Sequence, residues 1–320
     1  MEALLKVDNL NVNFRTDDGV INVIKNVSFD VREKEIVGIV GESGCGKSMT
    51  SLAIMGLVPK NGQVSGSILF EEKDLVNLPK KELGHIRGNR ISMIFQDPMK
   101  SLNPVYTIGE QIDETIREHL KVNKDQAKQK TLDILGRVGI PNPERIYKSY
   151  PHELSGGMKQ RIIIAMALVC SPKLVIADEP TTALDVTIQA QILELMREMR
   201  SIVDTSIILI THDLGVLAEM CDRVIVMYAG EVVEENTVEA LFEHPMHPYT
   251  KGLLDSIPKM DEEQDILPYI PGQVPPPGKF PTGCRFSTRC PQAAETCFQS
   301  PPDLYERAGG KVRCWLWEAE

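Results

Sequence analysis

The chain has 320 residues, 42% hydrophobic and 25% charged, an ordinary globular composition with room for a sizeable core and none for a long disordered region. Its 45 acidic residues outnumber the 35 basic ones, a formal charge of −10, which argues against a broad electrostatic footprint for DNA or RNA. The longest uninterrupted apolar run, Ile162 to Cys170, has nine residues, well short of the ~20 needed to span a bilayer; no basic-then-apolar leader follows Met1, so a cytoplasmic location with reduced thiols is expected.

The first predicted element is antiparallel β, because Val27, Phe29 and Val31 alternate with Ser28, Asp30 and Arg32 in period two. The apolar run from Glu35 to Val40 then enters a glycine-rich loop, and Ser48 to Val58 is helix-compatible until Pro59 closes it. A strand-like segment spans Ile91 to Phe95, and residues from about 105 to 170 are helix-rich without convincing strands. Leu174–Ala177 and Ile207–Ile210 look like buried parallel strands, joined by a helical crossover from Thr187 to Arg200. A hairpin follows over Arg223–Glu234, turning at Ala229–Gly230. Past residue 255 prolines accumulate, as in Pro268, Pro271 and Pro275 to Pro277. The expected fold is α/β: a P-loop, RecA-like core with an antiparallel β subdomain and an α-helical subdomain (about 105–170) inside a cassette over 1–254, plus a small cysteine-rich C-terminal extension over 255–320.

Gly41-Glu-Ser43-Gly44-Cys45-Gly46-Lys47-Ser48 matches the phosphate-binding P-loop and sits between a predicted strand and a helix, as that motif requires. Its glycines let backbone N–H groups turn inward on phosphates at a positive helix N-terminus. Lys47 is expected to contact the β- and γ-phosphates, and the Ser48 hydroxyl to hold Mg²⁺. Asp178 and Glu179 end a buried strand where an α/β sheet presents ligands. Asp178 is the expected second Mg²⁺ contact and Glu179 the residue that polarises the attacking water.

A P-loop alone admits kinases, GTPases, helicases and transporters, so the decisive segment is Leu154-Ser155-Gly156-Gly157-Met158, which heads a helix-like stretch over Gln160 to Val169. Ser155 and two glycines at a helix start form a second anion-binding device, which suggests a partner chain. Here the sequence resembles the ABC ATPase family, and Met158, where the commonest family pattern has glutamine, is similar to the peptide-importer members. The resemblance covers nearly the first 255 residues. It implies that two cassettes sandwich ATP between one P-loop and the other's Ser155–Gly157 element. It further implies that Gln96 senses the γ-phosphate and Mg²⁺ and faces a membrane subunit, that His212 is the switch histidine, that Ala183-Leu184-Asp185 is the D-loop, and that Phe14 stacks on adenine. The implied catalytic set is Lys47, Gln96, Glu179 and His212. The implied nucleotide contacts are Phe14, Gly41, Ser43 to Met49, Gln96, Ser155 to Gly157, Asp178 and Asp185, with Ser48, Gln96 and Asp178 on Mg²⁺.

Gln96 to Pro104 and His244-Pro-Met-His-Pro-Tyr249 look like segments of dipeptide and oligopeptide importer ATPases. The implied function is the ATP-hydrolysing subunit of a peptide importer, peripheral at the cytoplasmic face of the cell membrane. The implied partners are a second ABC ATPase chain, two transmembrane permease subunits and, indirectly, an extracytoplasmic peptide-binding protein; no nucleic acid is expected. The alternatives are a soluble ABC ATPase of translation or DNA repair, or an importer of another solute such as nickel.

Of seven cysteines, Cys284, Cys290, Cys297 and Cys314 crowd the tail, with five, six and sixteen residues between them. So short a segment has little core of its own, and a metal centre is a standard remedy. Structural zinc sites bring ligands in closer pairs, and neither common ferredoxin spacing is matched, so spacing leaves zinc and iron–sulfur both open. The resemblance leans to a 4Fe-4S cluster on all four cysteines, because some peptide-importer ATPases carry one on a similar extension.

Overall fold

The computed structural model describes residues 3–17, 19–97, 101–182, 184–257 and 268–318. They fold as two compact units, one built from Ala3–Val31, Ile36–Asn77 and Thr211–Glu320, the other from Arg32–Glu35 and Leu78–Ile210.

In the first unit the period-two pattern becomes a four-stranded sheet, ordered Gly19–Arg32, Ala3–Thr16, Gly62–Phe70 and Lys73–Asp74. Val27 and Val31 are fully buried and Phe29 nearly so, which is the inward face the alternation predicts. A second set of strands has Ile36–Val40 parallel to Arg223–Tyr228, which turns back antiparallel as Glu231–Thr237. Every residue of Ile36–Val40 is buried, as its unbroken apolar run requires. The tail extends this sheet: Gly310–Val312 pairs antiparallel with Glu231–Thr237, and Tyr305–Arg307 with Gly310–Val312. The tail also places Phe286 among Tyr228 and Tyr249, with ring centroids 5.1 and 5.4 Å away. It therefore draws its packing from the strands and the helix Pro248–Asp255 rather than from a core of its own.

The helix after the P-loop runs over Lys47–Ile54, shorter than the stretch to Val58 expected from Pro59. The stop is Gly56, at φ 59°: its N–H donates to the Ala53 carbonyl at 3.0 Å and that of Leu57 to the Leu52 carbonyl at 2.7 Å. This pair of bonds is a Schellman termination, for which glycine suits the left-handed position.

In the second unit Ile91–Ile94, Leu174–Asp178 and Ser206–Ile210 form parallel pairs. The crossover helix spans Val186–Val203. The helix-rich region resolves into Ile108–Leu120, Lys124–Arg137, Pro143–Tyr147 and Gly156–Leu168. The first two open with capping boxes, Thr107 with Glu110 and Asn123 with Gln126, each satisfying two otherwise orphaned N–H groups. Buried Asp113 ties three of these helices together, accepting from Thr131 Oγ1 at 2.5 Å and Tyr147 Oη at 2.6 Å. Burial, followed by the Asp113 carboxylate, pushes the Tyr147 phenol up to about 12, so it remains a donor.

Candidate active site

The first unit carries the P-loop between the strand Ile36–Val40 and the helix Lys47–Ile54. Gly41 is there because a Cβ would lie 2.2 Å from the Met227 carbonyl oxygen, a backbone atom that cannot give way. Lys47 is buried, and its ammonium folds back to donate to the carbonyls of Gly41 at 2.6 Å and Glu42 at 3.2 Å. Ser43, Gly44 and Ser48 are exposed along the loop, whereas Cys45 is fully buried and Met49 half-buried. Burial raises the Cys45 thiol above its usual range, which keeps it a neutral packing group. Phe14 lies half-buried on the antiparallel sheet, opposite Gly62. His212 is exposed just beyond the strand Ser206–Ile210, next to Asp213, which caps the helix Leu214–Met220.

The second unit carries the acidic pair. Asp178 is 4% exposed at the end of its buried strand. Glu179 adopts a left-handed backbone at φ 48°, uncommon for a residue other than glycine, asparagine or aspartate. Its N–H donates to the Ile210 carbonyl at 2.9 Å, and its Oε2 accepts from Gln96 Nε2 and Thr182 Oγ1, each at 2.9 Å. The structure thus brings together two residues, Gln96 and Glu179, that lie 83 positions apart.

In the same unit Ser155 is the exposed N-cap of Gly156–Leu168, its hydroxyl accepting from the Met158 N–H at 3.4 Å. The helix begins at Gly156 rather than near Gln160, so the first free N–H groups belong to the Ser155–Gly157 element itself. Gln160 anchors this helix to the turn after Glu179 by donating to the Pro180 carbonyl at 2.5 Å. Asp185 caps the crossover helix, its Oδ1 accepting from the Ile188 N–H at 3.0 Å. Ala183 and residues 98–100 of the Gln96–Pro104 segment lie outside the described residues.

All four tail cysteines line one cavity of about 140 Å³, beside His247 and Phe286. Burial pushes the Cys284 thiol up to about 12, and Cys297, Cys314 and Cys290 add to the shift. Burial likewise raises Cys290 and Cys314. Among the described residues no group of three or more His, Cys, Asp or Glu side chains is assembled to hold a metal ion.

The ABC transporter family model matches residues 24–182, and the model for the oligopeptide/dipeptide transporter C-terminal region matches residues 233–297. The chain is 54% identical to the oligopeptide transport ATP-binding protein AppD of Bacillus subtilis, over 100% of this chain and 98% of that one. The chain belongs to the ABC transporter ATP-binding proteins. ABC ATP-binding proteins hydrolyse ATP to power transport, and this one is accordingly an ATPase. Another similar ABC protein is the oligopeptide transport ATP-binding protein OppD of Haemophilus influenzae, 51% identical over 99% of this chain and 98% of that one. Among solved ABC structures, the dimeric post-hydrolysis cassette MJ0796 bound to ADP and Pi superposes with a TM-score of 0.65 at 27% identity, covering 73% of this chain and 98% of that one.

Three further residues support these sites without any chemical role read for them in the sequence. Tyr249 reaches the P-loop, its hydroxyl accepting from the Glu42 N–H at 2.8 Å. Arg289 holds the Glu42 side chain. Gln111 props the loop after Gln96: its Oε1 accepts from the Asn103 N–H at 2.8 Å, and its Nε2 donates to the Tyr106 carbonyl at 3.0 Å. The His244–Tyr249 stretch marked Tyr249 only by resemblance; Arg289 and Gln111 stand in no motif.

Proposed function

We propose that the chain is the ATP-hydrolysing subunit of an importer of di- or oligopeptides, peripheral at the cytoplasmic face of the membrane. The observation that carries this is the 54% identity with an oligopeptide transport ATP-binding protein over the whole chain, tail included. The matched oligopeptide/dipeptide C-terminal region adds to it and disfavours a translation or repair ATPase. No helix among the described residues is long and apolar enough to cross a membrane. In this reading the substrate passes through separate subunits, two permeases fed by an extracytoplasmic peptide-binding protein, as the names of the relatives as transport ATP-binding proteins support. Val105 and Tyr106, 71% and 52% exposed beside the Gln96 loop, suit contact with such a permease. The cassette occupies 1–254 and the C-terminal module 255–320.

In this reading ATP binds with its phosphates on Gly41 and Ser43 to Met49, and its adenine on Phe14. Lys47 exchanges its bonds to the Gly41 and Glu42 carbonyls for the β- and γ-phosphates. Buried Asp178, exposed Ser48 and the Gln96 amide supply the hard oxygen donors that Mg²⁺ prefers. When bound, Mg²⁺ neutralises charge developing on the phosphates. Glu179, oriented by Gln96 and Thr182, positions the attacking water and takes its proton. His212 meets the γ-phosphate. Ser155 to Gly157 and Asp185 act across a dimer, on the nucleotide held by a second ATPase chain; exposed Ser155 at a helix start supports this, as does the dimeric state of the MJ0796 cassette.

The tail cysteines hold a 4Fe-4S cluster in this reading. Support comes from all four thiols lining one cavity, where Cys284, Cys290, Cys297 and Cys314 would supply the four thiolates that such a cluster takes. In this reading its role is structural, bracing the tail against the cassette or a partner.

The test is Glu179→Gln in the assembled transporter. The variant binds ATP, accumulates as dimers and loses turnover by about 10²-fold or more, because only the proton acceptor is removed. Near-normal turnover refutes the role given to Glu179.

A further inference from the structure

Glu42 places a carboxylate in the first turn of the P-loop, where bound polyphosphate would repel it. A buried arginine from the tail neutralises it. Arg289, with its side chain 3% exposed, grips Glu42 with both terminal nitrogens, Nη1 to Oε2 at 2.6 Å and Nη2 to Oε1 at 3.0 Å. Its remaining N–H groups donate to the carbonyls of Pro271 at 2.8 Å and Ile270 at 3.2 Å and to the Tyr228 hydroxyl at 3.4 Å. All five guanidinium donors are thereby used. The Glu42 backbone is held at its other two polar groups, its N–H by the Tyr249 hydroxyl and its carbonyl by Lys47 Nζ. One P-loop residue is thus fixed from the tail through its side chain and joined to the phosphate-binding lysine through its backbone.

We propose that Arg289 is a positioning residue of the ATP site: it neutralises and fixes Glu42, and so makes nucleotide affinity depend on the C-terminal segment. This rests on Gly41–Ser48 being the ATP site. Without Arg289, an unpaired carboxylate stands beside the phosphates and the Gly41–Glu42 turn loses its clamp. Removing the carboxylate as well takes away the repulsion, so the double variant binds better than the single one.

The experiment is calorimetric titration of the full chain with MgATP, alongside KM and kcat of the assembled transporter. R289A weakens MgATP binding by about tenfold, raises KM in step and leaves kcat within about twofold. E42Q/R289A recovers most of that loss. R289Q, whose amide nitrogen stands where Arg289 Nε donates to the Pro271 carbonyl, replaces R289A in the same comparison if R289A does not fold. Wild-type affinity in the single variant overturns the proposal; so does a double variant no tighter than the single one, the result if Arg289 only braces the tail. K47A separates the failures. Binding lost in K47A but unchanged in R289A overturns the role of Arg289 alone, whereas binding unchanged in both overturns the ATP site and this proposal with it.

Discussion

His247 is fully buried as the N-cap of Pro248–Asp255, its Nδ1 accepting from the Tyr249 N–H at 3.0 Å. Burial lowers its pKa from the ordinary histidine value of 6.5 to about 3; a hydrogen bond with the Arg313 backbone opposes this and the Arg313 charge adds to it. The folded protein therefore keeps the imidazole neutral in a range where the unfolded chain takes up a proton. As pH falls below 6.5 the unfolded state gains a proton that the folded state refuses, so stability is lost with acid at about 1.4 kcal/mol per pH unit. Between pH 7.5 and 5.0 the cost is about 2 kcal/mol, and it continues toward pH 3. His247→Asn keeps an acceptor for the Tyr249 N–H and cannot titrate, so it loses about 2 kcal/mol less over that interval. Glu234, whose carboxyl burial pushes up and which accepts from the N–H groups of Met246 and His247, is present in both proteins and largely cancels in the difference. Urea denaturation of the full chain, followed by tryptophan fluorescence, reads the effect locally. The two tryptophans are Trp315 and Trp317, and Trp317 Nε1 donates to the Met246 carbonyl at 3.1 Å. Equal losses of stability in the two proteins between pH 7.5 and 5.0 would refute the reasoning.

If Ser155–Gly157 of one chain completes the P-loop site of another, the isolated subunit hydrolyses ATP with an activity per chain that falls on dilution; constant activity over a hundredfold dilution, about the range that separates dimer from monomer for micromolar association, excludes the shared site. Protein purified without oxygen should be brown, absorb broadly near ~400 nm, and lose iron when any one of Cys284, Cys290, Cys297 or Cys314 becomes serine. Colourless protein holding one zinc per chain would replace the cluster with a zinc site.

What could be read from the sequence was local chemistry. The P-loop declares itself because a tight turn against Met227 leaves room only for glycine at position 41, and because lysine and serine must follow at fixed offsets. The buried strands declare themselves because strands covered on both faces need unbroken apolar runs, as in Ile36–Val40 and in Leu174 to Ala177. Helix ends were harder to place. Pro59 suggested a stop, yet Gly56 had already turned the chain out of the helix through a left-handed residue. The start of Gly156–Leu168 was set by the Ser155 cap rather than by the apolar run further on.

What could not be read was partnership across long separations. Glu42 stands where the P-loop pattern prescribes no residue type, and Arg289 stands in no motif, 247 residues away. No period connects them; only the fold does, by packing Phe286 against Tyr228 and Tyr249 so that the next turn presents Arg289 to the loop. The tail took its place in the sequence from its cysteines, which suggested a small module stapled by metal. In the structure its aromatic and basic side chains complete the packing and charge balance around the P-loop strand. A metal centre at Cys284 and Cys290 would therefore brace both ends of the short segment that carries Phe286 and Arg289, so loss of the centre should reach the nucleotide site through those two side chains.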